Sequence, residues 1–171
     1  MLRKRRKYTK PKKLHDKIRT DEENSILKRY GLKNKREIWR ADAKASKIRN
    51  QAKELITKGQ EEQEKFIRKL VKEGFNVKKI PDILALTKES ILERRLQTIL
   101  AKKRIARTSK GARQLITHKH VMINKNVVNI PSYHVNLDEE DKIELKLKNM
   151  EKKEDKTKEI KKEEPAEKED G

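Results

Sequence analysis

After His118 the apolar residues stop recurring every three or four positions and begin to cluster and alternate as strands do. Val121-Met122-Ile123 and Val127-Val128 flank Asn124-Lys125-Asn126, a tight turn in which Asn tolerates positive φ. Everything upstream with an apolar pattern is helical. The chain must therefore set a helical part against a small antiparallel sheet, which defines an α+β fold.

The helical part reads in five pieces. Asp21 to Tyr30 is a short helix with Asp21 as N-cap and Gly31 as the residue that ends it. From about Lys35 to Lys58, Ile38, Ala41, Ala45, Ile48, Ala52, Leu55 and Ile56 form one stripe. Arg36, Arg40, Lys44, Lys47 and Lys58 occupy the opposite face, and Gly59 closes the helix. Glu61 to Glu73 brings Phe66, Ile67, Leu70 and Val71 together before Gly74. Residues 78–86 read as a connector turned by Pro81, and Thr87 caps a helix that runs to about Leu100. Its apolar face leaves Arg94, Arg95 and Gln97 to project outward. Beyond the basic loop Lys102-Lys103-Arg104, Thr108 or Ser109 caps another helix, with Ala112, Leu115 and Ile116 inward. Pro131 and Tyr133 lead to a last strand, Ile143 to Leu147. The acids Asp138 to Asp141 read as a solvated loop. Trp39, the single tryptophan, reads as a packing residue.

These elements group into an extended basic arm (1–20), a helical domain (21–86), a compact module of two helices on a small sheet (87–147), and a disordered Lys/Glu tail (148–171). Only 32% of the chain is hydrophobic and 44% is charged, so the buried core is modest. The formal net charge of +20 is unevenly spread. From Arg94 to Leu137 there is no Asp or Glu at all, and the arm carries Arg3, Arg5 and Arg6 among further lysines. A folded surface without carboxylates and rich in Arg and Lys suits a polyanion.

Composition excludes more than it selects. Without Cys there is no disulfide, thiolate metal site or thiol nucleophile. No run is apolar enough to span a bilayer or serve as a signal peptide, so a soluble, intracellular chain is expected. Aromatics at 4% suit neither a membrane-surface helix nor stacking along single strands. No phosphate loop, metal-protease motif or catalytic constellation is present, so no catalytic residue, metal, cofactor or small-molecule substrate is expected. His118, His120 and His134 fall in the acid-free stretch and read as phosphate donors or base-packing groups.

Several segments taken together resemble the archaeal-type small-subunit ribosomal protein family S-four, which contains the RNA-binding module of that name. They are Leu92-Glu93-Arg94-Arg95-Leu96-Gln97, Ala106-Arg107-Thr108, Ala112 to His118, Val121 to Asn124 and Asn129 to Tyr133. Upstream, Tyr30 to Arg40 is similar to the N-terminal region of the same branch, so the likeness covers about residues 1–147. Asn124-Lys125 stands where the family often has Asn-Gly, and Glu140-Asp141 where it usually has Gly-Asp near the final strand. The resemblance implies direct binding to small-subunit rRNA, early assembly of the subunit body, an influence on translational accuracy, and neighbours such as ribosomal proteins five and twelve. It also implies a cytoplasmic, ribosomal location. The alternative class is a non-catalytic RNA-targeting subunit of an RNA-modifying enzyme, since the same module is appended to such enzymes.

The candidate RNA contacts are Arg3, Arg5, Arg6, Arg36, Arg40, Arg94, Arg95, Gln97, Lys102, Lys103, Arg104, Arg107, Thr108, Lys110, Arg113, Gln114, His118, Lys119, Asn124, Lys125 and Tyr133. Within this set Arg94, Arg95, Arg107 and Arg113 are expected to share one phosphate-facing surface.

Overall fold

Periodicity places the helices well, and tertiary contacts move their ends. The computed structural model describes residues 7–13 and 15–146. Arg3, Arg5, Arg6, the end of the expected last strand at Leu147 and the tail lie outside them. Helix α1 is Lys17–Arg29, earlier than the Asp21 cap predicted, because Asp16 accepts the Arg19 amide at 3.4 Å and serves as N-cap. Its partner α2, Lys35–Ile56, buries Ile38, Ala41, Ala45, Ile48 and Ala52, whereas Ile56 at the fraying end is exposed. Gly59 does not close α2. It is the N-cap of α3, Gln60–Lys72, and α2 ends at Thr57.

The connector contains a short helix, α4 (Ile80–Leu84), whose entry is held by Asp82 accepting the Lys78 and Lys79 amides at 3.0 Å each. Those two bonds lower the Asp82 pKa. With α5 (Lys88–Glu93) these helices enclose a first core that includes Ile26, Tyr30, Leu70, Phe75, Ile83 and Leu92. Each such buried Leu, Ile or Phe contributes roughly 1.5–3 kcal/mol. The arm is not free over its described part. Tyr8 packs on Trp39 with ring centroids 5.8 Å apart, and Trp39 donates its indole N–H to buried Glu23 at 2.9 Å. Trp39 is thus a packing residue.

The helix expected from Thr87 to Leu100 is broken. α5 stops at Glu93, Arg95 is extended (φ −77°, ψ 142°), and α6 starts as Leu96–Lys102. The cause is a distant segment. Tyr133 O accepts from Leu96 N at 2.8 Å and Val135 N donates to Arg94 O at 3.0 Å, so residues 133–135 bridge to the break. Thr98 Oγ1 donates to the Leu92 carbonyl at 2.7 Å and satisfies one end of the interrupted ladder.

Beyond the break a second core forms, from Leu96, Ile99, Leu100, Ala112, Ile116, Val121, Ile123, Val135 and Ile143. It shares no buried residue with the first. Helix α7 is Ser109–Thr117, capped by Thr108, whose hydroxyl accepts from Gly111 N at 3.0 Å. The sheet has the order β2-β1-β3, all antiparallel, with β1 Val121–Ile123, β2 Asn126–Val127 and β3 Ile143–Leu145. Met122 pairs with Val127, and Val121 with Leu145. The acidic segment is not a loop. Leu137–Glu140 forms helix α8, with Asn136 N donating to Glu139 at 3.1 Å.

Candidate nucleic-acid interface

The basic residues divide by what they touch. Arg94, Arg95 and Gln97 do not project outward, because the break at Arg95 turns them into the joint between the two cores. Arg95 is 6% exposed and Gln97 only 1%. The Gln97 amide nitrogen lies 3.0 Å from Tyr30 O, 2.9 Å from Gly31 O and 3.0 Å from Ser109 O, so its two hydrogens serve both domains. Gly31, at φ +60°, leaves room for this: a Cβ there would come within 3.1 Å of that nitrogen.

Glu37 completes the joint. Its Oε2 accepts from Arg95 Nη2 at 2.7 Å and its Oε1 from Arg113 Nη2 at 2.8 Å. Burial pushes the Glu37 carboxyl up, but the hydrogen bonds from Arg113 and Arg95 outweigh it and hold the pKa below the ordinary value. Arg94 faces another way. It donates to Glu140 at 2.8 Å and to Val135 O at 2.9 Å, and its guanidinium lies over Gly74, where a Cβ would be 2.3 Å from Arg94 Nε. Three of the four arginines expected to form one phosphate surface are therefore occupied by carboxylates of this chain.

Other candidates are also engaged within the chain, some of them at its surface. His134 lies 3.0 Å from Glu73 O and its ring is 5.5 Å from Phe75. Burial, with Lys44 nearby, lowers its pKa to about 4, so it is neutral at pH 7. Tyr133 donates to Glu139 at 3.0 Å, and burial together with that carboxylate raises its pKa. Lys102 pairs with Glu93 at 3.1 Å, and Lys103 reaches Glu140 O and, at 3.4 Å, Asp141. On α2, Arg40 lies 5.9 Å from the Tyr8 ring and burial lowers the Lys44 pKa.

What stays outside is a set of unpaired cations on loops and caps. Arg104, Arg107, Lys110, Lys119 and Lys125 are exposed, and among the described residues none has a carboxylate partner. Gln114, His118 and Asn124 are exposed beside them in sequence, as is Arg36 on α2. Three of these cations have backbones where glycine would be cheaper: Arg104 at φ 57°, Lys119 at φ 62° and Lys125 at φ 65°. Arg104 and Lys119 end α6 and α7 in Schellman turns, with Ile105 N to Leu100 O at 3.1 Å and His120 N to Leu115 O at 3.0 Å. Lys125 shares the hairpin turn with Asn124 at φ 51°. A non-glycine residue in this region costs about 1–2 kcal/mol, so each position gives up stability to carry a charge.

Between α2 and the module lies a cleft of about 370 Å³, lined by Lys33, Arg36, Glu37, Arg40 and Lys44 on one side and Arg95, Arg113, Pro131 and His134 on the other. Sequence reasoning had passed over Glu37, the carboxylate that organises this cleft. The signal was available, since it is the lone acid between Lys33 and Arg40. Among the described residues no group of His, Asp or Glu is placed to hold a metal ion, and no helix is long and apolar enough to cross a membrane.

A helical domain joined to a module of two helices, a short third helix and three strands with a cationic rim defines an S4-domain protein, and residues 94–142 match the S4 domain family. The likeness extends far beyond that segment. The chain is 47% identical over 153 residues to small ribosomal subunit protein uS4 of Nanoarchaeum equitans, covering 85% of each chain. It is 45% identical over 147 residues to uS4 of Thermoplasma volcanium (81% of this chain, 74% of that one), and 42% identical over 147 residues to uS4 of Saccharolobus solfataricus (82% and 81%). The chain belongs to the uS4 family of small ribosomal subunit proteins.

Proposed function

We propose that this chain is a non-catalytic structural component of the small ribosomal subunit in the cytoplasm, and that it binds small-subunit rRNA directly. The observation that carries the reading is the unpaired cationic rim, with Arg104, Lys119 and Lys125 held in left-handed backbone. Selection for stability alone favours glycine there. Rigid caps and turns present these charges without the entropy loss of a flexible loop, which suits phosphate and shape recognition of folded RNA. Arg36 on α2 and the basic arm extend the contact. Arg94, Arg95 and Gln97 serve it indirectly, by building the joint.

Similarity to ribosomal proteins over 82–85% of the chain favours this reading over an RNA-targeting subunit, since the match extends well beyond the module into the helical domain. Early assembly, an influence on accuracy and contacts with proteins five and twelve follow from the same family reading. Charge reversal at Arg107 and Lys110 is expected to weaken binding to a small-subunit rRNA fragment far more than reversal at Lys152 and Lys158. Equal losses would sink the assignment. In cell extract, the chain should sediment with small subunits on a sucrose gradient.

A further inference from the structure

The two cores are separate, and the joint between them is largely polar. Besides the Phe75 ring against His134, the side-chain bonds across it include those of Arg95 and Arg113 to Glu37, of Gln97 to Tyr30 O and Gly31 O, of Ser109 to Arg29 O, of Thr98 to Leu92 O, of Lys102 to Glu93, and between His134 and Glu73 O. Domains that meet through small polar interfaces move relative to one another by default. A hydrogen-bonded ion pair is directional, however, and a bidentate one fixes angle as well as distance.

We infer that Glu37 is a positioning residue that locks α2 to the module, so that the cations of both domains meet one RNA as a single surface of fixed spacing. Its carboxylate takes two partners: Arg95 at the start of α6, on Oε2, and Arg113 in the middle of α7, which reaches Oε1 at 2.8 Å and Oε2 at 3.3 Å. Lys33 N also approaches Oε1, at 3.4 Å, tying the carboxylate to the loop before its own helix. The carboxylate therefore triangulates three points, one on each of three segments. Arg36 and Arg40 flank Glu37 on α2, so a rotation at this joint would change their distance from Lys110 and Arg107 directly. The charge it adds is unfavourable for RNA. Its presence in the middle of a cationic cleft is explained by geometry rather than by attraction.

This inference rests on the rRNA-binding reading, and the test separates the two. The chain has no cysteine, so spin labels at Gln51→Cys and Asn126→Cys report the distance between domains in the full chain. In the native background one narrow distance distribution is expected. Glu37→Gln should broaden it, and Arg113→Gln, which breaks the same bond from the other side, should do likewise. Circular dichroism should show unchanged helix content.

In parallel, Glu37→Gln should bind a small-subunit rRNA fragment about tenfold more weakly. It should bind a mixed-sequence RNA duplex as well as before or slightly better, because one negative charge has gone. A residue that merely stabilised the fold would weaken both. A distribution as narrow as the native one, or unchanged affinity for the rRNA fragment, overturns the inference. If the native chain fails to prefer the rRNA fragment, the proposed function fails instead, and the distance distribution alone decides whether Glu37 locks the joint.

Discussion

The joint and the rim use the same residue types for opposite ends. At the joint, Arg94, Arg95 and Arg113 are held by Glu140 and Glu37 in relaxed backbone, and the bonds of Arg95 and Arg113 to Glu37 link the two cores. At the rim, Arg104, Lys119 and Lys125 are unpaired, exposed and in left-handed backbone. The lesson is that a basic residue's role follows from its partners and backbone rather than its charge. The joint arginines face carboxylates of this chain, whereas the rim cations stand apart in backbone that costs stability.

The largest expected effect breaks the joint. Gln97→Leu strips three backbone carbonyls of their donor in a buried site, and should lower unfolding free energy by about 2–4 kcal/mol in urea titration. A loss below ~1 kcal/mol would show that water replaces the amide. Next, Gly74→Ala places a methyl on Arg94 at positive φ. Because that guanidinium is tethered to Glu140 and Val135 O it cannot swing aside, and about 2–3 kcal/mol of destabilisation is expected.

The third effect is a pH dependence confined to the joint. His134 has a folded pKa of about 4, below its ordinary 6.5. The unfolded chain therefore takes up a proton first, and stability is full above pH 6.5, falls as pH drops, and levels off near pH 4. About 1–2 kcal/mol should be lost between pH 7.5 and 5, and His134→Gln should flatten that part of the curve. Glu37, whose pKa is also depressed, has the carboxylate window: its contribution is intact above the ordinary carboxylate pKa and is lost at more acid pH. A steep dependence between pH 6.5 and 5 that survives His134→Gln would mean another group is responsible.

The smallest effect sharpens the rim. Lys125→Gly relieves a left-handed lysine and should raise stability by about 1 kcal/mol, read from the thermal midpoint. It should also weaken rRNA binding and reduce the slope of log K against log salt by about 0.7–0.9, one phosphate contact. Higher stability with unchanged affinity would remove Lys125 from the interface.

Much of the fold was legible because its signals are local. The stripe from Ile38 to Ala52, the positive-φ stops at Gly31 and Gly74, the Thr108 cap and the Asn124-Lys125 turn each depend on neighbours within a few residues. The break at Arg95 was not legible, because helical periodicity runs straight through it. Only residues 133–135, arriving from far along the chain, offer Leu96 N and Arg94 O better partners than the continuing helix. With the break missed, the directions of Arg94, Arg95 and Gln97 were missed too.

By itself, then, the sequence determined the class of fold, the placement of most helices and the hairpin, and the presence of a carboxylate-free basic stretch. Propensity, capping and composition act over short spans and are written in order along the chain. Tertiary structure decided which cations remain free. Whether an arginine meets Glu37, Glu140 or solvent depends on residues brought together from distant positions, and no local pattern encodes that meeting.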